Sequence, residues 1–523
     1  MRRESYSFVA AVVALSGAPG CSERAPAATA APTSATTGTA ASSVHASATP
    51  PSPRPQISAA ARPAKPKVDV WPPPLPTGDQ TGDRIYSKVR HLWVRPFPDS
   101  RAWLGYLSLG DSVRVKGGDA KTARRRRGGA GRCQWWYAVE PMGFVCAGSD
   151  ATLDAKDPAV VELQRHAAKA NSAWPYHYGE SLGVPVYNGL PDELRQRRRE
   201  VGLGTHLKKI EQARAVAEGP DRSAAILAID KHFRGVDLAP TGNEPPALFN
   251  LGPAGNTIQT SVVPGSTIAF VDSFDWKGRS WILTWDRGII PRDKVRPFER
   301  SKFSGVILSE KQPLPIAFFR KEPRPQYRRL KDGTFEKTDK TWPRLGWVGL
   351  SGKDARVDGV PYLETRMPGV WCAEGDGSIA RRVKEPPALV VNRKKGRRTW
   401  LDISILRGVL VAYEFDKPVY ATLISPGRGG LPTPGVPTLD TAATPTGQFG
   451  VLGKYLTATM VSGSNAKLVH AEVQFTQNFD GPYALHGAYW HDRWGEKKSG
   501  GCVNLAPIDA KRMFEWTEPR LPP

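Results

Sequence analysis

The sequence predicts a mainly β, multidomain protein, and three features of it carry that prediction. At 523 residues the chain is longer than one hydrophobic core organises. Short runs rich in Val, Ile, Leu, Tyr and Trp, punctuated by Gly and Asp, recur from 84 to 153, from 250 to 390 and again after 398. Hydrophobic residues make up 40% of the chain and 16 are Trp, which fits packed, aromatic-rich domains rather than general disorder.

Residues 1–21 read as an export signal. Met1-Arg2-Arg3 is positive, Phe8 to Leu15 is apolar but too short to span a bilayer, and Ser16 to Gly20 is small and turn-forming. Cys21 follows directly, an order that resembles a bacterial lipoprotein cleavage site with Ala18 where Leu is usual. That resemblance implies lipidation of Cys21, an anchor in a membrane and an exported, periplasmic or envelope location. Residues 22–66 are almost entirely Ala, Ser, Thr and Pro, too polar and simple to bury a core, and read as a disordered tether.

Residues 80–153 hold a series of short strand candidates: His91–Arg95, Trp103–Leu107, Ser112–Val115, Trp135–Val139 and Gly143–Cys146. The series resembles a small bacterial SH3-like barrel. Cys133 and Cys146 fall in adjacent candidates, and an oxidising compartment makes a disulfide between them an expectation. Residues 154–245 contain helical stretches, Pro158–Ala170 and Glu193–Ala217, and 246–390 return to a β pattern of no assignable role. Cys372 has no evident partner and reads as a buried small hydrophobe.

From Trp400 to Ile405, Val409 to Tyr413 and Val419 to Ile424, alternating runs with Gly408 at a turn predict an antiparallel meander. Ser425-Pro426-Gly427 ends it, and Thr444-Pro445-Thr446-Gly447 turns the chain into another strand. His486-Gly487 then precedes Ser499-Gly500-Gly501-Cys502-Val503-Asn504, with Cys502 16 positions after His486. A thiol attacks as its thiolate, so it needs a neighbouring base, and an imidazole can take the proton and return it to a leaving amine. The oxyanion formed on attack needs fixed backbone donors, and glycines beside the nucleophile let a substrate carbonyl come close. His491 lies near Asp492 without a repeated metal-ligand spacing, so no metal and no cofactor is expected.

These four ordered landmarks resemble the L,D-transpeptidase family, over 398–514. The resemblance implies Cys502 as nucleophile, His486 as base and then acid, and the Gly487 carbonyl as the group that orients the imidazole. It implies Gly500, Gly501 and Cys502 as oxyanion donors, and Ser499, Tyr489, Trp490 and Asn504 as substrate-binding residues. The substrate implied is the stem peptide of peptidoglycan. Many members carry His or Lys where Gly500 stands, so a side-chain role is lost there.

The net charge is +23, from 73 Lys and Arg against 50 Asp and Glu, and favours acidic partners. The runs Arg124–Arg127, Arg195–Arg199 and Arg393–Arg398 read as solvated loops. They lack the aromatic interleaving of a nucleic-acid module, so no nucleic-acid partner is expected. Two other activities stay open: trimming of stem peptides by water, as an L,D-carboxypeptidase, and a non-catalytic wall-binding lipoprotein.

Overall fold

The computed structural model describes residues 12–16, 71–72, 81–126, 133, 135–217, 261–393, 397–462, 468–518 and 520. All of these fall in one compact unit, 1–17 with 71–523. The tether at 22–66 and Cys21 lie outside the described residues. Val12–Ser16, inside the apolar stretch of the expected signal, forms a strand in the C-terminal sheet. No helix among the described residues is long and apolar enough to cross a membrane.

The N-terminal module folds as short strands. Arg84–Ser87 pairs with Ser112–Arg114 and Ala151–Thr152, Leu92–Val94 pairs with Gly105–Leu107, and Arg124–Arg126, Trp135–Ala138 and Phe144–Ala147 form a third group. Ile85, Val115, Val139 and Val145 are its buried centre. Cys133 and Cys146 are joined in a disulfide, with Cα atoms 5.9 Å apart. The first arginine run differs from its expected solvated loop. Arg124–Arg126 is a strand paired with Trp135–Tyr137, and the Arg124 guanidinium lies 4.0 Å from the Trp135 ring centre. The second run is helical, within Glu193–Arg199.

The middle of the chain does not divide at residue 245. His177–Ser181, from the stretch read as partly helical, pairs with Thr267–Trp276 on one side and Val295–Pro297 on the other. The sheet is completed by Arg279–Thr284 and Ile289–Pro291. Helices Pro158–Arg165, Glu193–Arg199 and Leu203–Ala217 belong to this part, with the break at Gly202 in a left-handed turn, φ 74°. Arg279, 5% exposed, ties them together: it bonds Glu200 at 2.8 Å and Asp293 at 3.0 Å. The remaining β stretch is a separate seven-stranded sheet within 316–380, in which Cys372 is fully buried and its thiol is pushed up to about 12 by that burial.

The C-terminal sheet runs β1 (Thr399–Ser404), β2 (Val409–Glu414), β3 (Lys417–Ser425), β4 (Gly447–Gly450), β5 (Gly453–Ser462), β6 (Leu468–Asp480), β7 (Tyr483–Gly487) and β8 (Val503–Leu505), then α1 (Pro507–Trp516). β1, β2 and β3 form the expected antiparallel meander, and β8, β7, β6 and β5 follow β3 across the sheet. Alternation predicts one solvated face, yet all of β1 is buried, Asp402 and Ser404 included. Leu401, Leu410, Ile424 and Leu485 pack on one side with Met513 and Trp516 of α1. Trp400, Val411, Ala421 and Leu423 pack on the other with Ile316 and Phe318 of the neighbouring sheet. A sheet covered on both faces buries its polar positions too. The helix is fastened by the buried Asp509, which accepts from Tyr420 Oη at 2.6 Å, Thr422 Oγ1 at 2.5 Å and the Gly305 N–H at 3.0 Å.

Candidate active site

β7 and β8 run parallel, with His486 opposite Asn504 and Leu485 opposite Val503. Side chains alternate along a strand, so Cys502, two residues before Asn504, sits where the same-face position falls. Adjacent strands lie about 4.8 Å apart. His486 and Cys502 accordingly line one cleft of about 1760 Å³ together with Trp490, Ser499, Gly500 and Asn504.

The other two landmarks hold the segment before Cys502. The Pro426 carbonyl accepts from the Lys498 N–H at 2.9 Å and the Ser499 N–H at 3.1 Å. The Gly427 N–H donates to Thr444 Oγ1 at 2.8 Å. A Cβ at Gly427 would lie 2.2 Å from the Ala442 carbonyl oxygen, so only glycine lets these two turns meet. Four sequence landmarks thus converge through backbone hydrogen bonds.

The turn into Cys502 depends on the two glycines in different ways. Gly501 has φ 129°, and a Cβ there would lie 2.5 Å from the Tyr483 ring and 3.0 Å from the Ala443 carbonyl oxygen. Gly500 is exposed, and nothing lies within 4 Å of a Cβ built on it. The Gly501 N–H donates to Ser499 Oγ at 3.1 Å, and that hydroxyl donates to the Cys502 carbonyl at 2.5 Å. The structure therefore corrects two expectations. The Gly501 N–H is engaged inside the turn rather than held for an oxyanion, and Ser499, although on the cleft wall, is buried and used to brace that turn.

His486 is 3% exposed, and its Nδ1–H donates to the Gly487 carbonyl at 2.9 Å, which leaves the Nε2 lone pair as the basic site. Burial, with His470 nearby, lowers its pKa to about 4, so the imidazole is neutral at physiological pH. Gly487 is required by close packing: a Cβ would lie 2.8 Å from Gln474 Cγ. The Cys502 thiol is half-buried, and burial raises its pKa. Both groups rest uncharged, a thiol and a neutral imidazole lining one cleft, with Cys502 Sγ 3.9 Å from the Pro482 carbonyl oxygen.

Tyr489 is not in the cleft. It is buried, stacks on Tyr178 with ring centres 3.8 Å apart, donates to the Ala471 carbonyl at 2.5 Å and meets Thr267 Oγ1 at 2.6 Å. Its neighbour Trp490 does line the cleft, stacked on His470 at 4.4 Å. His491 belongs to a fixed hydrogen-bond chain. The Arg493 N–H donates to its Nδ1 at 3.2 Å, which puts the ring proton on Nε2. The Asn504 side-chain amide lies 3.2 Å from that Nε2–H. Chemistry then requires the amide oxygen to face it, which also satisfies an oxygen otherwise without a partner among the described residues. Among the described residues no cluster of His, Cys, Asp and Glu could hold a metal.

Among the cleft residues that sequence reasoning missed are His470 and Tyr483. His470 comes from β6, and burial lowers its pKa to about 4. Tyr483 lies three positions before His486 and hydrogen-bonds Thr438 Oγ1 at 2.5 Å. The missed signal for Tyr483 is the strand it shares with His486; His470 has none in its local sequence.

Residues 390–522 match the L,D-transpeptidase catalytic domain (YkuD). No curated protein matches the chain. Among solved structures, an L,D-transpeptidase of Stackebrandtia nassauensis is 26% identical over 24% of this chain and 53% of its own, with a TM-score of 0.18. An Enterococcus faecium L,D-transpeptidase bearing a cysteine-to-serine substitution is 23% identical over 20% of this chain and 41% of its own, with a TM-score of 0.17. One from Xylanimonas cellulosilytica is 22% identical over 25% and 59%, with a TM-score of 0.18. The chain spans about half the length of these solved chains.

Proposed function

We propose that the L,D-transpeptidase catalytic domain at residues 390–522 is active on peptidoglycan stem peptides through a Cys502 acyl-enzyme. The observation that carries this reading is the parallel register of β7 and β8, which brings a neutral imidazole and a cleft-facing thiol to one surface. His486 Nε2 takes the Cys502 Sγ proton as Sγ bonds to the donor carbonyl carbon. The imidazolium then gives that proton to the leaving amine as the C–N bond breaks, and a thioester remains. The N–H groups of Gly500 and Cys502 are the oxyanion donors in this scheme. Attack by an amine forms a cross-link, and attack by water trims the stem.

Arg428 and Lys498 flank the nucleophile turn, with Arg428 Nη1 reaching the Lys498 carbonyl at 3.5 Å, and both line the cleft. This cationic rim suits the carboxylates of a stem peptide. Trp490 and Asn504 are the side chains we assign to substrate positioning. The proposal extends to export through residues 1–21, lipidation of Cys21 and an SH3-like module at 80–153.

Intact-mass analysis after exposure to a carbapenem tests the centre of the proposal. A single stoichiometric adduct that disappears in Cys502→Ala, and forms at least 100-fold more slowly in His486→Gln, is the expected result. Folded wild-type protein that stays unmodified would overturn it. Loss of membrane association in Cys21→Ala tests the anchor.

A further inference from the structure

A group of aromatic rings at the mouth of the cleft has no part in the scheme above. His91, Trp93, Trp103 and Tyr106 come from the N-terminal module, and Tyr455 from β5. Trp93 and Trp103 have ring centres 5.4 Å apart, Trp93 and Tyr106 5.7 Å, and Tyr106 stacks on Tyr455 at 5.3 Å. The assembly is fixed: Tyr106 Oη donates to the Thr457 carbonyl at 3.0 Å, across the seam between module and sheet. Trp103 is nevertheless 50% exposed and Trp93 37% exposed. Two neighbouring indoles held rigidly but left open to solvent form an apolar surface that folding has not used.

The platform is continuous with the cleft, whose walls include Trp103, Tyr106 and Tyr455 as well as His486 and Cys502. The cleft volume of about 1760 Å³ exceeds the roughly 300–1,000 Å³ of an ordinary small-molecule site, which leaves room for a ligand that extends beyond the surroundings of Cys502. His91 packs edge-on against Tyr106 with ring centres 4.6 Å apart, and Arg90 and Glu140 also line the cleft; these groups can meet hydroxyl and amide groups. A ligand with a flat C–H face and a polar rim matches both the rings and this edge. A pyranose ring has that form, and a stem peptide is borne on a chain of such rings.

We propose that Trp103 and Trp93 form a sugar-binding subsite that takes the glycan strand whose stem peptide is delivered to Cys502. This rests on the stem-peptide reading for the delivery, but the sugar contact itself is independent of catalysis. Calorimetry on the full chain in detergent, with the β-1,4-linked tetramer of N-acetylglucosamine as probe, tests the contact. The wild type and Cys502→Ala should bind the tetramer equally. Trp103→Ala should weaken binding about tenfold, and Trp103→Phe should recover most of it, since the ring supplies the contact.

Rates on a free tetrapeptide and on a disaccharide-tetrapeptide then test delivery. In Trp103→Ala the disaccharide substrate should lose about tenfold in kcat/KM while the free peptide changes less than threefold. No tetramer binding by folded wild type, or equal binding by Trp103→Ala, would overturn the subsite. Equal losses on both substrates would make the platform a peptide site and overturn it as well. Tetramer binding by a protein that never forms an acyl-enzyme would leave the subsite standing and remove the catalytic reading instead.

Discussion

Adding one methyl group to each of two adjacent glycines should have very different consequences. At Gly501 the backbone is at φ 129°, and the new Cβ would lie 2.5 Å from the Tyr483 ring. A side chain in that backbone region costs about 1–3 kcal/mol. Overpacking against Tyr483 costs about another 1–3 kcal/mol. Gly501→Ala should therefore lose about 2–6 kcal/mol of stability, or relieve the contact by moving the Cys502 turn. A shift of about 1 Å at a nucleophile costs on the order of 100-fold in rate. Gly500→Ala meets nothing within 4 Å and keeps its N–H, so its acylation rate should stay within about threefold of wild type. The assay is the carbapenem acylation rate by stopped flow, with thermal melts on the same samples. A Gly501→Ala protein that melts and acylates like wild type, or a Gly500→Ala protein that is the slower of the two, would refute the argument.

The acylation rate should hold as pH falls through 6.5 and decline only near pH 4, because burial keeps His486 neutral down to about 4; a midpoint near 6.5 in a pH–rate profile would contradict this. The same depressed pKa makes stability greatest above pH 6.5 and draws it down as pH falls from 6.5 towards 4, by about 3 kcal/mol for His486, measurable by urea denaturation of wild type against His486→Gln. Arg279→Met should destabilise the fold by about 3–5 kcal/mol, since it removes the buried cation shared by Glu200 and Asp293 and leaves them only Lys294 and His206; chemical denaturation reads this directly. Tyr489→Phe removes a hydroxyl shared by Thr267 and Ala471 and should cost about 1–2 kcal/mol in melting experiments without a change in Km for stem peptide. Reduction of the Cys133–Cys146 bond, which closes a 13-residue separation, should cost the N-terminal module about 2–4 kcal/mol, seen as earlier proteolysis at its strands.

What could be read without the structure follows the range of the interactions. The landmarks around Gly427, Thr444, His486 and Cys502 were legible because each is a local turn with its own residue chemistry. The Cys133–Cys146 pair was legible because both lie beside neighbouring strands. Tyr489 was misread because it sits beside the base in sequence, while its stacking partner, Tyr178, comes from a distant sheet. His470 was invisible for the same reason: it comes from β6 and meets the segment after β7 only by stacking on Trp490. The boundary at 245 failed because His177–Ser181 is a five-residue strand, HYGES, with none of the β-branched residues that mark strands.

The parallel pairing of β7 with β8 has a consequence for how the site tolerates change. Its register is set by strand neighbours on both sides, Ile424 opposite Leu505 and Gln477 opposite Leu485, and not by the length of the loop that joins them. Slipping either strand by one residue would turn its reactive side chain to the opposite face. The juxtaposition of His486 and Cys502 is therefore all or none with respect to register, whereas the 488–498 connection is held by its own contacts, with Tyr489 and Trp494 buried and the Lys498 N–H on the Pro426 carbonyl.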